Sequence, residues 1–499
     1  MRGAAALSAM LLTVAVAPPA GAAGPLAIGA AGLGDPVFPT LGNGGYDVQR
    51  YALDVTYDAL PRTLHGTVRI QARTTQPLQR FFLDAAGLDI AAVRVDNVPA
   101  AFVTLPEKLQ IDQATPLGAG RAMNVEIRYS TDPRRLPQPT GGFVPTLDGF
   151  ATAAQPAAAH TVFPCNDHPS DKAVFSFRVT APPGELGVAN GVRTHLVTNS
   201  DGTTTASYDP PEPMATELVQ LAVGTYAVLD HGMHNGVRWR DVVPTVRLPL
   251  LLPALYLTGH QLDWLTARLG PFPFSAYGLL PVDSDDTEPF EFTGLETQSL
   301  TLYRPGFLTQ PEDKIGGHMT HELTHSWFGD SVTPRTWADL WLNEGHAEYY
   351  ALNYRYAQGW TDTKGFTRFD DRMRWTYAQG NIWRASSGPV AQPTADTLFD
   401  NERYTGGTLV LYALAQRVGM PVFDRIERTF LAAFRYGNAS TADYISTAVA
   451  VSGDPTVAAF LREWLYGAST PPMPGHPDWT VDPVPPSPAP PGPQSDRLD

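Results

Sequence analysis

The sequence predicts a multidomain α+β protein, in which an N-terminal antiparallel β-sandwich or saddle domain precedes a mainly helical domain. Two observations support this order. Between about Tyr46 and Ala227, apolar and polar residues alternate with period two, and PPG, NG and DG turns separate the segments. After about Arg238, apolar residues recur at helical spacing, and several segments end at a glycine, as helices often do.

The predicted elements follow one another in that order. The strands are YDVQRYALDVTYD, HGTVRIQART, LDIAAVRVDN, AMNVEIRYS and AVFSFRVTAP. The first helices are LTGHQLDWLTARLG and PEDKIGGHMTHELTHSWFG, and strands with an acidic loop lie between them. The later helices are TWADLWLNEGHAEYYALNYRYAQG, GGTLVLYALAQRVG, FDRIERTFLAAFRYG and DPTVAAFLREWLYG.

These patterns divide the 499 residues into four parts, and the chain is long enough to bury more than one core. We expect a signal peptide at 1–22, a β domain at 27–232 and a helical domain at 233–468. The last part, 469–499, is rich in proline and has no periodicity. It is therefore predicted to be a disordered or extended tail.

The N-terminus has the layout of a secretory signal. Arg2 precedes an apolar run from Ala4 to Ala17, and Ala20 and Ala22 form an Ala-x-Ala cleavage site. The apolar run is too short to span a bilayer comfortably. We therefore expect a secreted protein that is cleaved near Ala22 and has no membrane partner.

Charge and cysteine content narrow the classes of partner. The net charge of −15 argues against nucleic acid, because neutralising phosphates requires clustered Lys and Arg. Cys165 is the only cysteine, so no internal disulfide can form, and we expect a small buried hydrophobe there. We expect a monomer.

A metal-binding motif lies in GHMTHELTHSW, residues 317–327. His321 and His325 are four residues apart, so a helix would project both imidazoles from one face. A tetrahedral zinc ion can take both, together with a third ligand and a water. Glu322, on an adjacent side, could reach that water as a general base. The alternative is an amphipathic helix with solvated histidines.

A plausible third ligand, Glu344, follows His325 after eighteen intervening residues. This spacing allows the first helix to end near Gly329 and a second to begin near Trp337. Large aromatic residues flank both segments and would form a packed shell of low dielectric constant. Four nearby residues are weaker candidates. We expect neither His318 nor His346 to bind the metal, Glu348 to be a surface carboxylate or a support for a ligand, and Asp339 to be able to orient a histidine.

The strings HELTHSWFGD and TWADLWLNEG resemble the aminopeptidase N-type zinc metallopeptidases, the gluzincin family that includes leukotriene-hydrolase-like enzymes. The likeness extends to LGPFPFSAYGLLPV and to VFPCNDHPSDKAVFSFRVTAP, and covers about Tyr46 to Gly467. It implies a thermolysin-like catalytic domain with one zinc ion per chain. His321, His325 and Glu344 correspond to its ligands, and Glu322 to the general base.

The resemblance also implies the remaining site residues. Tyr404 corresponds to the family's catalytic tyrosine, whose hydroxyl would stabilise the oxyanion. Glu296 corresponds to the glutamate of the G-x-M-E-N motif and would bind the substrate's α-ammonium, with Gln155 as a second amine-binding position. The motif has changed, because Leu295 and Thr297 replace its Met and Asn. Gly406 likewise replaces the family's Lys after the tyrosine.

The function that the resemblance implies is that of a secreted zinc aminopeptidase acting on peptides with a free α-amine. Glu296 could instead be one more acid of an acidic loop, and Tyr404 a packing aromatic. The rival functions are a thermolysin-type endopeptidase and a non-catalytic binding protein that kept the fold. The sequence does not identify the preferred N-terminal side chain.

Overall fold

The computed structural model describes residues 27–134, 142–284 and 293–483. The predicted signal peptide lies outside the described residues. The first part of the described chain is built from strands. These are β1 (Tyr46–Asp58), β2 (Thr63–Thr74), β3 (Leu78–Asp84), β4 (Asp89–Val95), β5 (Val98–Pro99), β6 (Ala101–Thr104), β7 (Lys108–Leu117), β8 (Ala122–Thr131), β9 (Phe143–Pro145), β10 (Phe150–Thr152), β11 (Val174–Ala181), β12 (Leu186–Ala189), β13 (Arg193–Thr198), β14 (Thr204–Tyr208), β15 (Leu221–Gly224), β16 (Tyr226–His234) and β17 (Val237–Pro244).

An eight-stranded sheet in the order β13-β14-β11-β1-β2-β8-β4-β5 forms most of this β-rich part. Its pairs are antiparallel except for β1 and β11, which run parallel. Every second residue of β2 is buried, as the period-two pattern predicts. Smaller sheets, β12-β15-β10-β9 and β3-β7-β6, accompany it. Cys165 is buried in this core as a free thiol.

The second part is mainly helical, with short strands between the helices. Its elements are α1 (Leu248–Leu255), α2 (Leu257–Leu269), β18 (Ala276–Tyr277), β19 (Leu279–Pro281), β20 (Gly294–Leu295), β21 (Thr301–Tyr303), α3 (Pro305–Leu308), α4 (Glu312–Thr324), β22 (Thr333–Pro334), α5 (Trp341–Ala357), α6 (Phe369–Ser387), α7 (Thr405–Val418), α8 (Met420–Phe434), β23 (Asn438–Ala439), α9 (Thr441–Ser452) and α10 (Thr456–Tyr466). One large apolar core joins these helices, with α4 and α5 packed side by side.

A separate small core lies where the two parts meet. It combines apolar side chains of β9, β10, β12 and β15 with those of β19, β20 and β21, among them Ala151, Val188, Leu280, Leu295 and Leu302. We call this contact region the seam. Because β10 ends just before Gln155 and β20 just before Glu296, the seam fixes where both of these side chains lie.

The predicted fold class is confirmed, since a β-rich part precedes a helical one. The boundary at residues 232 and 233 stays a prediction, and strand β16 crosses that position. No helix among the described residues is long and apolar enough to cross a membrane.

The first half of the predicted tail contains no helix or strand but has a defined path. Residues 469–483 pack against α6 and α7, and residues 484–499 lie outside the described chain. The Trp479 ring stacks on His476 at a centroid distance of 4.1 Å and on Tyr412 of α7 at 5.9 Å. The backbone N–H of Asp482 donates to the carbonyl of Ala378. Buried aromatic area therefore holds this proline-rich stretch against the helical part.

Candidate active site

Helices α4 and α5 bring the three predicted metal ligands together. His321 lies in the last turn of α4, His325 caps that helix, and Glu344 lies in the first turn of α5. The Nε2 atoms of His321 and His325 lie 3.3 Å and 3.5 Å from the same oxygen, Oε2 of Glu344. All three side chains are buried.

This spacing fits zinc. Two nitrogen or oxygen ligands about 2.0–2.2 Å from a tetrahedral ion are about 3.3–3.6 Å apart. His325, Glu296 and Glu322 form a second group of similar size. The first group fits better, because Nδ1 of His325 faces the carbonyl of Phe328 at 3.1 Å, which leaves Nε2 free to point towards Glu344.

The helix that carries the two histidines is shorter than predicted. Helix α4 ends at Thr324 rather than near Gly329, and α5 begins at Trp341 rather than near Trp337. Gly329 has a φ of +129°, which favours glycine. A Cβ there would lie 3.4 Å from Nδ1 of His325. The tight turn therefore closes over the second ligand.

The weaker metal candidates occupy different places. Oε2 of Glu348 lies 3.5 Å from Nδ1 of His321, so Glu348 supports a ligand from outside the triad. The suggestion for Asp339 is wrong, because its carboxylate accepts hydrogen bonds from Thr336 and Thr441 instead. His346 faces away, with Nδ1 on the carbonyl of Leu342 and Nε2 3.1 Å from Glu427.

Glu322 is enclosed beside the triad at 3% exposure. A Cβ on Gly294 would lie 2.8 Å from its Oε1, so only glycine permits this approach of β20 to α4. His318 lies on another side, with Nε2 3.2 Å from the same oxygen. Burial raises the pKa of Glu322 well above its usual range, and the charges of Glu296 and Glu344 oppose the lowering effect of His321. A raised pKa suits a group that must take up a proton near neutral pH.

Gln155 and Glu296 meet at the seam. Nε2 of Gln155 donates to Oε1 of Glu296 at 2.6 Å, and the same oxygen lies 3.9 Å from Nδ1 of His325. Glu296 is buried, and burial raises its pKa, as does Glu344, whereas His325 and Gln155 lower it. The structure therefore places the two predicted amine-binding residues together and beside the metal ligands.

The altered residues around Glu296 are anchored by the β-rich part. The hydroxyl of Thr297 lies within hydrogen-bond distance of two acceptors, the carbonyl of Leu300 and, at 3.2 Å, Oε1 of Gln220, and its one proton can go to either. The side-chain amide of Asn190 donates to the carbonyl of Gln298 at 2.7 Å. Gln220 and Asn190 were not predicted from the sequence, since neither belongs to a motif and both act only through contacts distant in the chain.

Tyr404 lies immediately before α7, half-buried. Its ring stacks on that of His321 at a centroid distance of 5.9 Å and an interplanar angle of 17°. At Gly406, where the family pattern has Lys, a Cβ would lie 2.6 Å from Oε2 of Glu402, so a side chain here would require the buried Glu402 carboxyl to move.

Two glycines set the distance between α5 and α7. A Cβ on Gly345 would lie 2.9 Å from Cα of Gly407, and the converse distance is also 2.9 Å. The hydroxyl of Thr408 donates to the carbonyl of Gly345 at 3.0 Å. Glu344 directly precedes Gly345, and Tyr404 lies three residues before Gly407. The contact between the two glycines therefore brings Glu344 and Tyr404 towards His321.

Family models cover most of the chain. Residues 47–218 match the peptidase M1 N-terminal domain, and residues 262–464 match the peptidase family M1 domain. Human endoplasmic reticulum aminopeptidase 1 is 26% identical over 442 residues, which are 79% of this chain and 45% of that protein. Leukotriene A-4 hydrolase of Xenopus laevis is 23% identical over 457 residues, 86% of this chain and 72% of that protein. The chain spans between 21% and 47% of the length of the first curated relatives.

Solved structures agree over nearly the full length. The M1 zinc metallopeptidase of Deinococcus radiodurans is 27% identical, with a TM-score of 0.72, covering 89% of this chain and 99% of that one. A mutant of that enzyme bound to a Tyr-Ser-Ala substrate has a TM-score of 0.73. On the two family models and the His321–His325–Glu344 group together, this chain belongs to peptidase family M1, the zinc metallopeptidases of the aminopeptidase N type.

Proposed function

We propose that the protein is a zinc aminopeptidase that hydrolyses the first peptide bond of peptides with a free α-amine. One observation carries this proposal: the Gln155–Glu296 pair lies within 3.9 Å of a ligand histidine. An ammonium group bound there leaves space for about one residue before the metal site. Relatives of this chain are named aminopeptidases, and one solved relative binds a tripeptide substrate.

His321, His325 and Glu344 would hold the zinc ion. When bound, zinc supplies Lewis acidity that polarises a carbonyl and lowers the pKa of water. Glu322 removes a proton from the attacking water and delivers it to the nitrogen of the departing peptide. The close approach of Gly294 keeps the Glu322 carboxyl in place for both transfers.

Two further groups orient the substrate. Glu296 accepts hydrogen bonds from the α-ammonium, and the carbonyl oxygen of Gln155 accepts another once its amide turns towards the substrate. Tyr404, stacked on His321, donates a hydrogen bond from its hydroxyl to the oxygen of the scissile carbonyl as negative charge develops there, and keeps its proton. The amine contacts decide which bond is cut, whereas Tyr404 and Glu322 act on the bond itself.

The decisive experiment compares a short peptide with its N-acetylated twin. An aminopeptidase should cleave only the free-amine form and release one amino acid at a time. An endopeptidase of the thermolysin type should cleave both peptides at internal bonds. Equal cleavage of the two peptides would therefore exclude the proposed function, and product analysis by mass spectrometry would identify the bond.

The N-terminal sequence motivates a proposal on location. We propose export with cleavage near Ala22, because a charged Arg2, an apolar run and Ala20-x-Ala22 precede the mature chain. N-terminal sequencing of the protein recovered outside the cytoplasm tests this, and an intact Met1 there would refute it. We also propose a monomer, which light scattering at several concentrations would check.

A further inference from the structure

A polar pocket lies beside the active site and is not used by the mechanism above. Helix α4 contributes His318, and α5 contributes Glu348 and Arg355. The chain after α5 contributes Asp362 and Arg372, the second of them from the first turn of α6. These residues are all buried or half-buried.

The pocket shares two side chains with the surroundings of the catalytic groups. His318 lies 3.2 Å from the Glu322 carboxylate, and Glu348 lies 3.5 Å from His321. A group bound in the pocket would therefore lie next to the site where the peptide bond is cut.

The pocket and the amine-binding pair lie towards opposite ends of the catalytic face of α4. Glu296 is next to His325 at the C-terminal end of the helix, whereas His318 lies seven residues earlier. Seven residues of α-helix rise about 10 Å. An extended peptide advances about 3.3–3.6 Å per residue, so about three residues cover that distance. A peptide held by its amine at Glu296 would direct its leaving end towards the pocket.

Two arginines of the pocket have guanidinium N–H groups that no carboxylate of the described residues uses. Arg355 and Arg372 are 6% and 7% exposed. The guanidinium of Arg355 donates to the backbone carbonyls of Asp313 and Thr361, and no carboxylate of the described chain forms an ion pair with it. Nε of Arg372 has no hydrogen-bond partner among the described residues, although its Nη1 lies 3.5 Å from Asp362.

The two carboxylates of the pocket already have partners. Asp362 accepts hydrogen bonds from the hydroxyl of Tyr356 at 2.6 Å and from the backbone N–H groups of Lys364 and Phe366. Glu348 faces His321. The hydrogen-bonding groups that stay available in the pocket are therefore guanidinium N–H donors. A carboxylate is the group that a planar guanidinium binds best.

We propose that this pocket binds a carboxylate on the leaving side of the substrate, so that the enzyme favours short peptides ending there or peptides with an acidic second residue. This inference rests on the proposed aminopeptidase function and specifies its substrate class. The shared chemistry is a carboxylate about three residues' length from the amine. Its source is either the free C-terminus of a short peptide, best matched by a tripeptide, or an Asp or Glu side chain.

The test uses one favoured first residue, X, in matched substrates. These are X-Ala and X-Ala-Ala, their C-terminal amides, and X-Asp amide. Losing a hydrogen-bonded charge costs about tenfold or more, so kcat/KM should fall at least about tenfold from an acid to its amide. If the side chain is the source, X-Asp amide should exceed X-Ala amide by a similar factor. Arg372→Gln should abolish the preference, whereas Arg374→Gln, exposed on the same helix, should retain it.

The outcomes distinguish failure of the carboxylate pocket from failure of the aminopeptidase function. Equal kcat/KM for acids, amides and X-Asp amide, with the free amine still required, would overturn the carboxylate pocket and leave the aminopeptidase proposal standing. Loss of the free-amine requirement would instead overturn the proposed function. Should Arg372→Gln fail to fold, the comparison of substrates on the unaltered enzyme still decides. A preference that persists in folded Arg372→Gln would also count against the pocket.

Discussion

The metal triad and the amine-binding pair are built in different ways. His321, His325 and Glu344 come from two consecutive helices that pack side by side. Gln155 and Glu296 are 141 positions apart in the chain and meet only where the β-rich part contacts the helical part. The metal site therefore depends on local helix geometry, whereas the proposed restriction to the chain end depends on the seam. Four substitutions, in order of decreasing effect, test this division.

Glu322→Gln should produce the largest loss. The amide keeps the shape of the side chain but cannot take up the proton, so kcat should fall by about 10²–10⁴-fold. Zinc content, measured by mass spectrometry of the metal, should not change, because Glu322 is outside the ligand set. A variant that keeps full activity would refute the general-base assignment.

Glu296→Gln should affect the amine-binding pair and leave the metal triad intact. Removing a charge-assisted contact with the ammonium should lower kcat/KM for a free-amine peptide by about 10–100-fold. Cleavage of the N-acetylated peptide should stay at its low starting level, and zinc content should be unaffected. If zinc content fell together with activity, Glu296 would also support the metal triad, and amine binding and metal binding would not be independent.

Glu348→Gln should lower the affinity of the site for zinc although none of the three ligand residues is changed. The Glu348 carboxylate faces Nδ1 of His321, and loss of such a partner lowers metal affinity by about tenfold or more. Competition with a zinc chelator measures this directly. Glu463→Gln, an exposed carboxylate on α10, is the matched control and should not alter zinc affinity.

Gly407→Ala should give the smallest effect and act on stability first. The added methyl group would press on Gly345 and separate α5 from α7, and overpacking of this kind costs about 1–3 kcal/mol. Each kcal/mol lowers Tm by about 2–4 °C in a domain of this size. Gly306→Ala is the control, because a Cβ there meets no atom within 4 Å. Equal Tm values for the two variants would contradict the role of the glycine contact.

The metal site was predictable because its information is local. Helical periodicity places residues four apart on one face, so His321 and His325 had to converge if the segment was helical. The end of α4 was not predictable in the same way, since it depends on the turn at Gly329 closing over His325. That turn shortens the helix but keeps the histidines one turn apart.

The amine-binding pair could be predicted only through resemblance to a family. No periodicity relates Gln155 to Glu296, and the residues that hold the Glu296 turn, Gln220 and Asn190, carry no motif. Asp339 shows the converse error. Asp339 was expected to be able to orient a histidine ligand, but its carboxylate caps the turn at Thr336 and accepts hydrogen bonds from Thr441 instead. In both cases, hydrogen bonds between residues distant in the chain determine where the carboxylate lies, of Glu296 in the first case and of Asp339 in the second.

The packing of residues 469–483 has a practical consequence for the length of the folded unit. A protein shortened at residue 468 would lose Trp479 and the hydrogen bond from Asp482 to Ala378, and the aromatic face of Tyr412 would become solvent-exposed. Such a truncation should aggregate more readily, since a newly exposed apolar patch promotes self-association. A stop codon or an affinity tag is better placed after residue 483 than at the start of the proline-rich stretch.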